Sequence, residues 1–196
     1  MAKPTKKDGI IAHFGAPRRL EDRGDSQFSE KRFMEIRHLR KTVQVPLDYD
    51  QEAQLGRHMP TTRLGSKNYI DPLAVRAAQT CPTDVIIPGA RYDVRFFALG
   101  GKTTSIECVK FLRSEGSLQV GIQGLSLFYG LMQGGFPPDR WVVAIDDRGH
   151  LFADDEGSFR VPMLLQPLVG SSSLSLGHFN CPWHNKHVLL LSKRIG

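Results

Sequence analysis

Cysteine is scarce in this chain: 3 in 196 residues, an odd number. That count does not build a disulfide framework. Long apolar runs are absent too. Nothing approaches the roughly eighteen consecutive apolar residues of a membrane-spanning helix. The N-terminal stretch is basic, but its longest apolar island, Ile10-Ile11-Ala12, is too short for the core of a signal peptide. Neither sign of charge is in large excess. With 40% apolar and 23% charged residues, a wholly disordered chain is excluded and a globular balance remains. The expectation is a soluble, cytoplasmic protein: one ordinary domain, or a smaller domain with a tail.

What charge there is sits unevenly. The formal net charge is +6, and residues 1–45 carry +5 of it, from eleven Lys/Arg against six acids. Residues 1–27 are polar with small apolar islands, too little to offset the entropy of ordering, and are expected to be a disordered basic tail. Residues 28–68 are expected to form a basic amphipathic helix and a connecting arm. Ser29 suits an N-cap, and Phe33, Ile36, Leu39 and Val43 recur at helical steps. The helix should end before Pro46. Arg32, Arg37, Arg40 and Lys41 lie mostly off the apolar stripe, and with Lys31 they are the candidates to meet phosphates. The alternative is a solvated face on a helix docked to the body.

Residues 69–196 are expected to form an α+β domain. Asp71-Pro72 starts a helix, with Asp as N-cap and Pro at the first helical position. Asp84–Ile87 reads as a short strand. Arg91–Ala98 alternates, with Tyr92, Val94 and Phe96 on one face. Thr104 through Glu107 fits a capping box, opening a helix with Ile106, Val109 and Leu112 inward. Leu118, Val120 and Ile122 alternate as a strand, followed by a helix through Leu125, Phe128 and Met132. Then Trp141–Ile145, His150–Ala153, Phe159–Gln166, Ser173–Phe179 and His187–Ser192 read as an antiparallel C-terminal meander. Two D-D-x-G turns separate the first three strands. Helices come mostly first and strands mostly last, the α+β pattern.

Three clusters invite chemistry. Gly100-Gly101-Lys102-Thr103-Thr104 follows a strand and opens a helix, the setting of a phosphate-binding loop, and Asp146 ends a later apolar run. The full motif needs glycine where Phe96 stands. Weak phosphate binding by Lys102, Thr103 and Thr104 at a helix N-terminus asks for less. His178, Cys181, His184 and His187 are four potential zinc ligands within ten residues, yet structural zinc sites use two separated pairs and only one is visible. Asp146, Asp147, Asp154, Asp155 and Glu156 lack calcium-loop spacing and suit hairpin turns. No serine sits in a G-x-S-x-G elbow, Cys108 lies on the capped helix and Cys81 precedes a proline, so no catalytic residue is assigned and no cofactor is expected beyond that zinc option.

The segment Thr103–Gly116, and the later order Trp141, Leu151, Asp154, Gly157, Arg160-Val161-Pro162, Leu176, Phe179 and Trp183, resemble small proteins of bacterial mobile elements such as phages and conjugative elements. The resemblance covers roughly residues 90–192 and carries no activity. It implies an accessory protein. Together with the charged arm it leads to a non-enzymatic protein that binds nucleic acid, or a nucleic-acid-handling partner, through Lys31, Arg32, Arg37, Arg40 and Lys41, with no membrane role. The alternatives are a protein–protein module meeting a partner near Phe179 and Trp183, and a phosphate- or nucleotide-handling enzyme using Lys102 and Asp146.

Overall fold

The computed structural model describes residues 32–50, 69–80, 84, 86–132, 135–146 and 148–196. The expected tail at 1–27, Lys31 and the connecting stretch 51–68 lie outside the described residues. The class is α+β, as expected. Among the described residues there are three helices, α1 (Pro72–Thr80), α2 (Ser105–Ser114) and α3 (Gly121–Met132). Nine strands join in one mixed sheet: β1 (Phe33–Glu35), β2 (Lys41–Gln44), β3 (Tyr69–Ile70), β4 (Arg91–Leu99), β5 (Trp141–Val143), β6 (Phe152–Ala153), β7 (Phe159–Leu165), β8 (Ser173–His178) and β9 (His187–Ile195).

The sheet order is β1-β4-β9-β5-β7-β8-β3, with β2 also on β4 and β6 also on β7. β6, β7 and β8 form an antiparallel meander, as expected. The expected hairpin between 141–145 and 150–153 is corrected: β5 and β6 lie end to end on the same edge of β7, with a 3-10 turn at Arg148–His150 between them. The last strand leaves it. β9 enters the middle of the sheet, antiparallel to β4 and parallel to β5. Its run Val188-Leu189-Leu190-Leu191 is buried on both faces, which is how a continuous apolar strand is accommodated. On one face Val188 and Leu190 join Tyr92, Val94 and Phe96 of β4 against α3 and Ala74 of α1. On the other, Leu189 and Leu191 join Phe97, Leu99 and Val143 against Cys108 and Leu112 of α2, with Phe179 and Trp183. The result is helix, sheet, helix in three layers.

Local signals hold where their partners are local. Asp71 accepts the Leu73 amide at 2.9 Å to start α1. Thr104 and Glu107 close the capping box of α2. The inward face of α2 differs by a step, though: Cys108 and Leu112 are buried, whereas Ile106 is 48% exposed. The expected strand at 118–122 is also corrected. Leu118 and Val120 are irregular, and Ile122 lies in the first turn of α3. That helix is apolar nearly all round, so alternation over a few residues could not distinguish it from a strand. It packs closely: a Cβ on Gly124 would stand 2.3 Å from the Val120 Cβ. No strand forms at the described residues of 84–87.

The expected N-cap Ser29 lies outside the described residues; from Arg32 on, the expected basic helix is replaced by β1, a single 3-10 turn at Arg37–Leu39, and β2. Both strands pair antiparallel with β4, so these residues belong to the same sheet as the body. The four apolar residues are still drawn inward, but to two faces of the sheet. Phe33 is buried on the α2 side, whereas Val43 is buried on the α3 side with Ile36 and Leu39 packed beside it. The turn between the strands switches the segment from one face to the other, which a single helical stripe could not do. Helical propensity here is weak, with Thr42, Val43 and Val45 β-branched, and the open side of a nine-residue strand offers ladder hydrogen bonds that an isolated helix cannot match.

Leu189→Ala, at the centre of β9, should cost about 2–5 kcal/mol in urea unfolding. Ile106→Ala, on the solvent side of α2, should stay within about 0.5 kcal/mol of the parent.

Candidate nucleic-acid interface

The basic residues expected on a helix are laid along the outer edge of the sheet. β1 is held there by aromatic packing: the rings of Phe33 and Phe111 stack at 4.2 Å with planes 2° apart. Beside them Arg32 donates to Glu107 at 2.6 Å. Arg40 reaches over the sheet and grips Asp93 of β4 with both arms of its fork, Nε to Oδ1 at 2.9 Å and Nη2 to Oδ2 at 3.0 Å. Arg95 donates to the same carboxylate at 2.7 Å and approaches Glu115 at 3.9 Å.

Asp93 is therefore a buried anion between two guanidinium groups. Burial alone would raise its pKa. The hydrogen bonds and charges of Arg40 and Arg95 outweigh that and hold it below the usual carboxylate range. Glu107 shows the same balance. Its partial burial is outweighed by the Thr104 amide and hydroxyl and by Arg32. Arg32 and Arg40 thus have internal partners, although about half of each side chain stays exposed. Arg37 and Lys41 are exposed, and no carboxylate among the described residues pairs with them.

The Gly100–Thr104 turn does not form a phosphate cradle. Thr103 is buried and forms a β-bridge with Trp183, each amide donating to the other's carbonyl at 2.8 Å. The Thr104 amide donates to the Glu107 carboxylate at 2.8 Å. An internal anion thus occupies the helix N-terminus where a phosphate would sit, and the exposed Lys102 stands beside a turn whose Gly100, Thr103 and Thr104 amides are committed. Asp146 is buried and accepts the Gly121 amide at 2.9 Å, capping the start of α3.

The four candidate zinc ligands do not converge. His178 faces the Arg160 guanidinium, a cation that opposes metal at that ring. His184 and His187 do meet, their rings edge to face at 4.5 Å, with the His187 Nδ1 accepting the His184 amide. Burial, and then the neighbouring His184, hold His187 below the ordinary imidazole pKa. Cys181 is exposed and apart, and among the described residues no three His, Cys, Asp or Glu side chains gather in a metal-holding group. The acidic turn is likewise structural. Asp154 accepts the Ser158 amide and pairs with Arg160, while Asp155 pairs with Arg76. Cys108 is fully buried and its thiol pKa is driven up by that burial, the reverse of a nucleophile.

Trp183 and Phe179, expected at a partner surface, are in the core instead. The Trp183 indole donates to the Ser105 hydroxyl at 2.7 Å, and that hydroxyl donates to the Phe179 carbonyl. Gly177 leaves room for the ring: a Cβ there would lie 3.2 Å from its Cη2. A small pocket beside Arg113, Gln119 and Asp146 measures about 10 Å³, about one water molecule.

Sequence reasoning missed three cations of this region. Arg91, Lys193 and Arg194 are exposed at the ends of β4 and β9. The alternation that turns Tyr92, Val94 and Phe96 inward already puts Arg91, Asp93 and Arg95 on the opposite face. Their meeting with Lys193 depends on the β4–β9 register, for which the sequence carries no signal. No protein-family profile, curated protein or solved structure matches the chain. No helix among the described residues is long and apolar enough to cross a membrane.

Because the folded pKa of Asp93 is lowered, its ionised form favours the fold. That contribution is fully present above the unfolded value of about 3.9 and is lost as pH falls through the lower folded value. Asp93→Asn should therefore lower stability at neutral pH by about 1–2 kcal/mol and flatten its loss below about pH 4, both read from urea unfolding across a pH series. By NMR titration, His187 should protonate at lower pH than an ordinary histidine.

Proposed function

We propose that this protein binds nucleic acid through sequence-independent phosphate contacts made by its N-terminal basic segment. In this reading it is a non-enzymatic accessory protein, the role implied by its likeness to mobile-element proteins. One observation carries the proposal. Residues 32–44 lie along the open edge of the sheet and present Arg37 and Lys41 to solvent without a carboxylate partner. Arg32 and Arg40 stand beside them, each half-exposed and oriented by an internal acid. A cation unpaired in the free protein loses no internal contact when it meets phosphate, and it releases counterions from the polyanion.

Two observations favour this reading over the alternatives. The aromatic patch that a protein–protein module would use at Phe179 and Trp183 is inside the core. The amides that a nucleotide-handling loop would need at Thr103 and Thr104 are bonded within the protein.

The full chain should bind duplex DNA with an affinity that falls steeply as salt rises. If Lys31, Arg32, Arg37, Arg40 and Lys41 all reach phosphates, the log–log slope should be about −4.5. The double variant Arg37→Ala/Lys41→Ala should lose about 1.8 of that slope. Fluorescence anisotropy across a salt series measures both. Affinity indifferent to salt would end the proposal.

A further inference from the structure

The edge segment is continuous with an uncovered sheet face. α2 covers Phe97, Leu189 and Leu191 on its side of the sheet and ends at Ser114. Beyond that end the strand registers set out two rows: Thr42, Asp93 and Lys193 side by side, then Gln44, Arg91 and Ile195. Arg91 and Lys193 are exposed, and no carboxylate among the described residues pairs with either. They are diagonal neighbours across adjacent strands, with Cα atoms roughly 7–8 Å apart. Arg40 and Arg95 lie on the same face, both turned onto Asp93. The Lys193 ammonium lies beside Gly116, where a glycine Cβ would be 3.5 Å from it. That places it by the carbonyl end of α2, which favours a cation.

We infer that this face, Arg91 and Lys193 with Arg40 and Arg95, extends the phosphate-contact surface of the basic segment across the sheet, and that its ligand is duplex nucleic acid. The inference rests on the nucleic-acid reading above and extends it. Asp93 acts here as a positioning residue: it fixes two guanidinium groups over the sheet and leaves two further cations free beside them. The choice of duplex follows from what the face lacks. Single strands are held by stacking bases on exposed aromatic rings. Among the described residues, those exposed on this face are Arg40, Thr42, Gln44, Arg91 and Lys193, none of them aromatic, and the one aromatic of β4's near end, Tyr92, is buried on the opposite side. A flat, cationic, ring-free surface meets phosphates and not bases, which suits a paired helix whose bases face inward.

The test uses the full chain, with Arg91→Ala/Lys193→Ala and Arg91→Gln/Lys193→Gln as variants and Lys110→Ala as control, each checked for an unchanged thermal unfolding midpoint. Affinities are measured for duplex DNA, duplex RNA and poly(dT) across a salt series. Loss of about 1.8 of the salt slope on duplex in either double variant, with Lys110→Ala unchanged and poly(dT) bound more weakly than duplex, supports the inference. The two duplex arms show whether DNA or RNA is preferred. A wild-type slope in both double variants, alongside a loss in Arg37→Ala/Lys41→Ala, overturns the sheet face and leaves the edge reading standing. Tighter binding to poly(dT) overturns the duplex assignment. Absence of salt-sensitive binding by the parent chain overturns both readings.

Discussion

Burying both faces of one strand is the constraint on which the rest of this structure depends. Val188 to Leu191 form four consecutive large apolar residues, and a strand turns alternate side chains to opposite faces. An edge position, or a sheet open on one side, would leave two of them in water. Placing β9 between β4 and β5 solves this only if each face has its own cover. α3 and α1 supply one, and α2 with Trp183 supplies the other. Trp183 then has to be fixed, and the bridge to Thr103 and the bond to Ser105 fix it. The loop with the greatest promise for metal or partner binding is thereby occupied in closing the core.

The same constraint shapes the charged edge. With β9 on its inner side, β4 needs an outer partner for nine residues of backbone, and the N-terminal segment provides it in two short pieces. Broken, charged and short strands are the usual protection of a sheet edge against further pairing. Here they also collect cations. Asp93 lies under Arg40 and Arg95 where the two β1–β2 pieces meet the body. One buried carboxylate thus ties the basic segment to the sheet through Arg40 and sets the direction of that guanidinium and of Arg95 on β4. The interior of the protein decides which positive charges remain available to a polyanion.

Several elements were legible because their physics is local. The capping box joins residues three apart, the Asp71-Pro72 start joins residues two apart, and the D-D-x-G turn at Asp154 satisfies its own amides. The β4 alternation predicted its buried face correctly. The basic segment reads as a helix because Phe33, Ile36, Leu39 and Val43 recur at helical steps, yet a strand–turn–strand path also draws all four inward, by sending Phe33 to one face of the sheet and the other three to the opposite face. Only the vacant edge of β4 distinguishes the two. Glu107 shows the same limit in the candidate site. Its place in a capping box was readable, whereas its pairing with Arg32, seventy-five positions away, was not.

By itself the sequence determined the α+β class, the caps and turns, the inward face of β4 and the concentration of positive charge before residue 46. These follow from composition and from interactions spanning a few residues. Only the tertiary structure decided that β9 lies at the centre of the sheet, that the basic segment is an edge strand and not a helix, and that Arg91 and Lys193 stand together beside Asp93. Those outcomes depend on strand order and register. Both are set by competition for buried surface and ladder hydrogen bonds among segments far apart in the chain, and no local pattern records who wins.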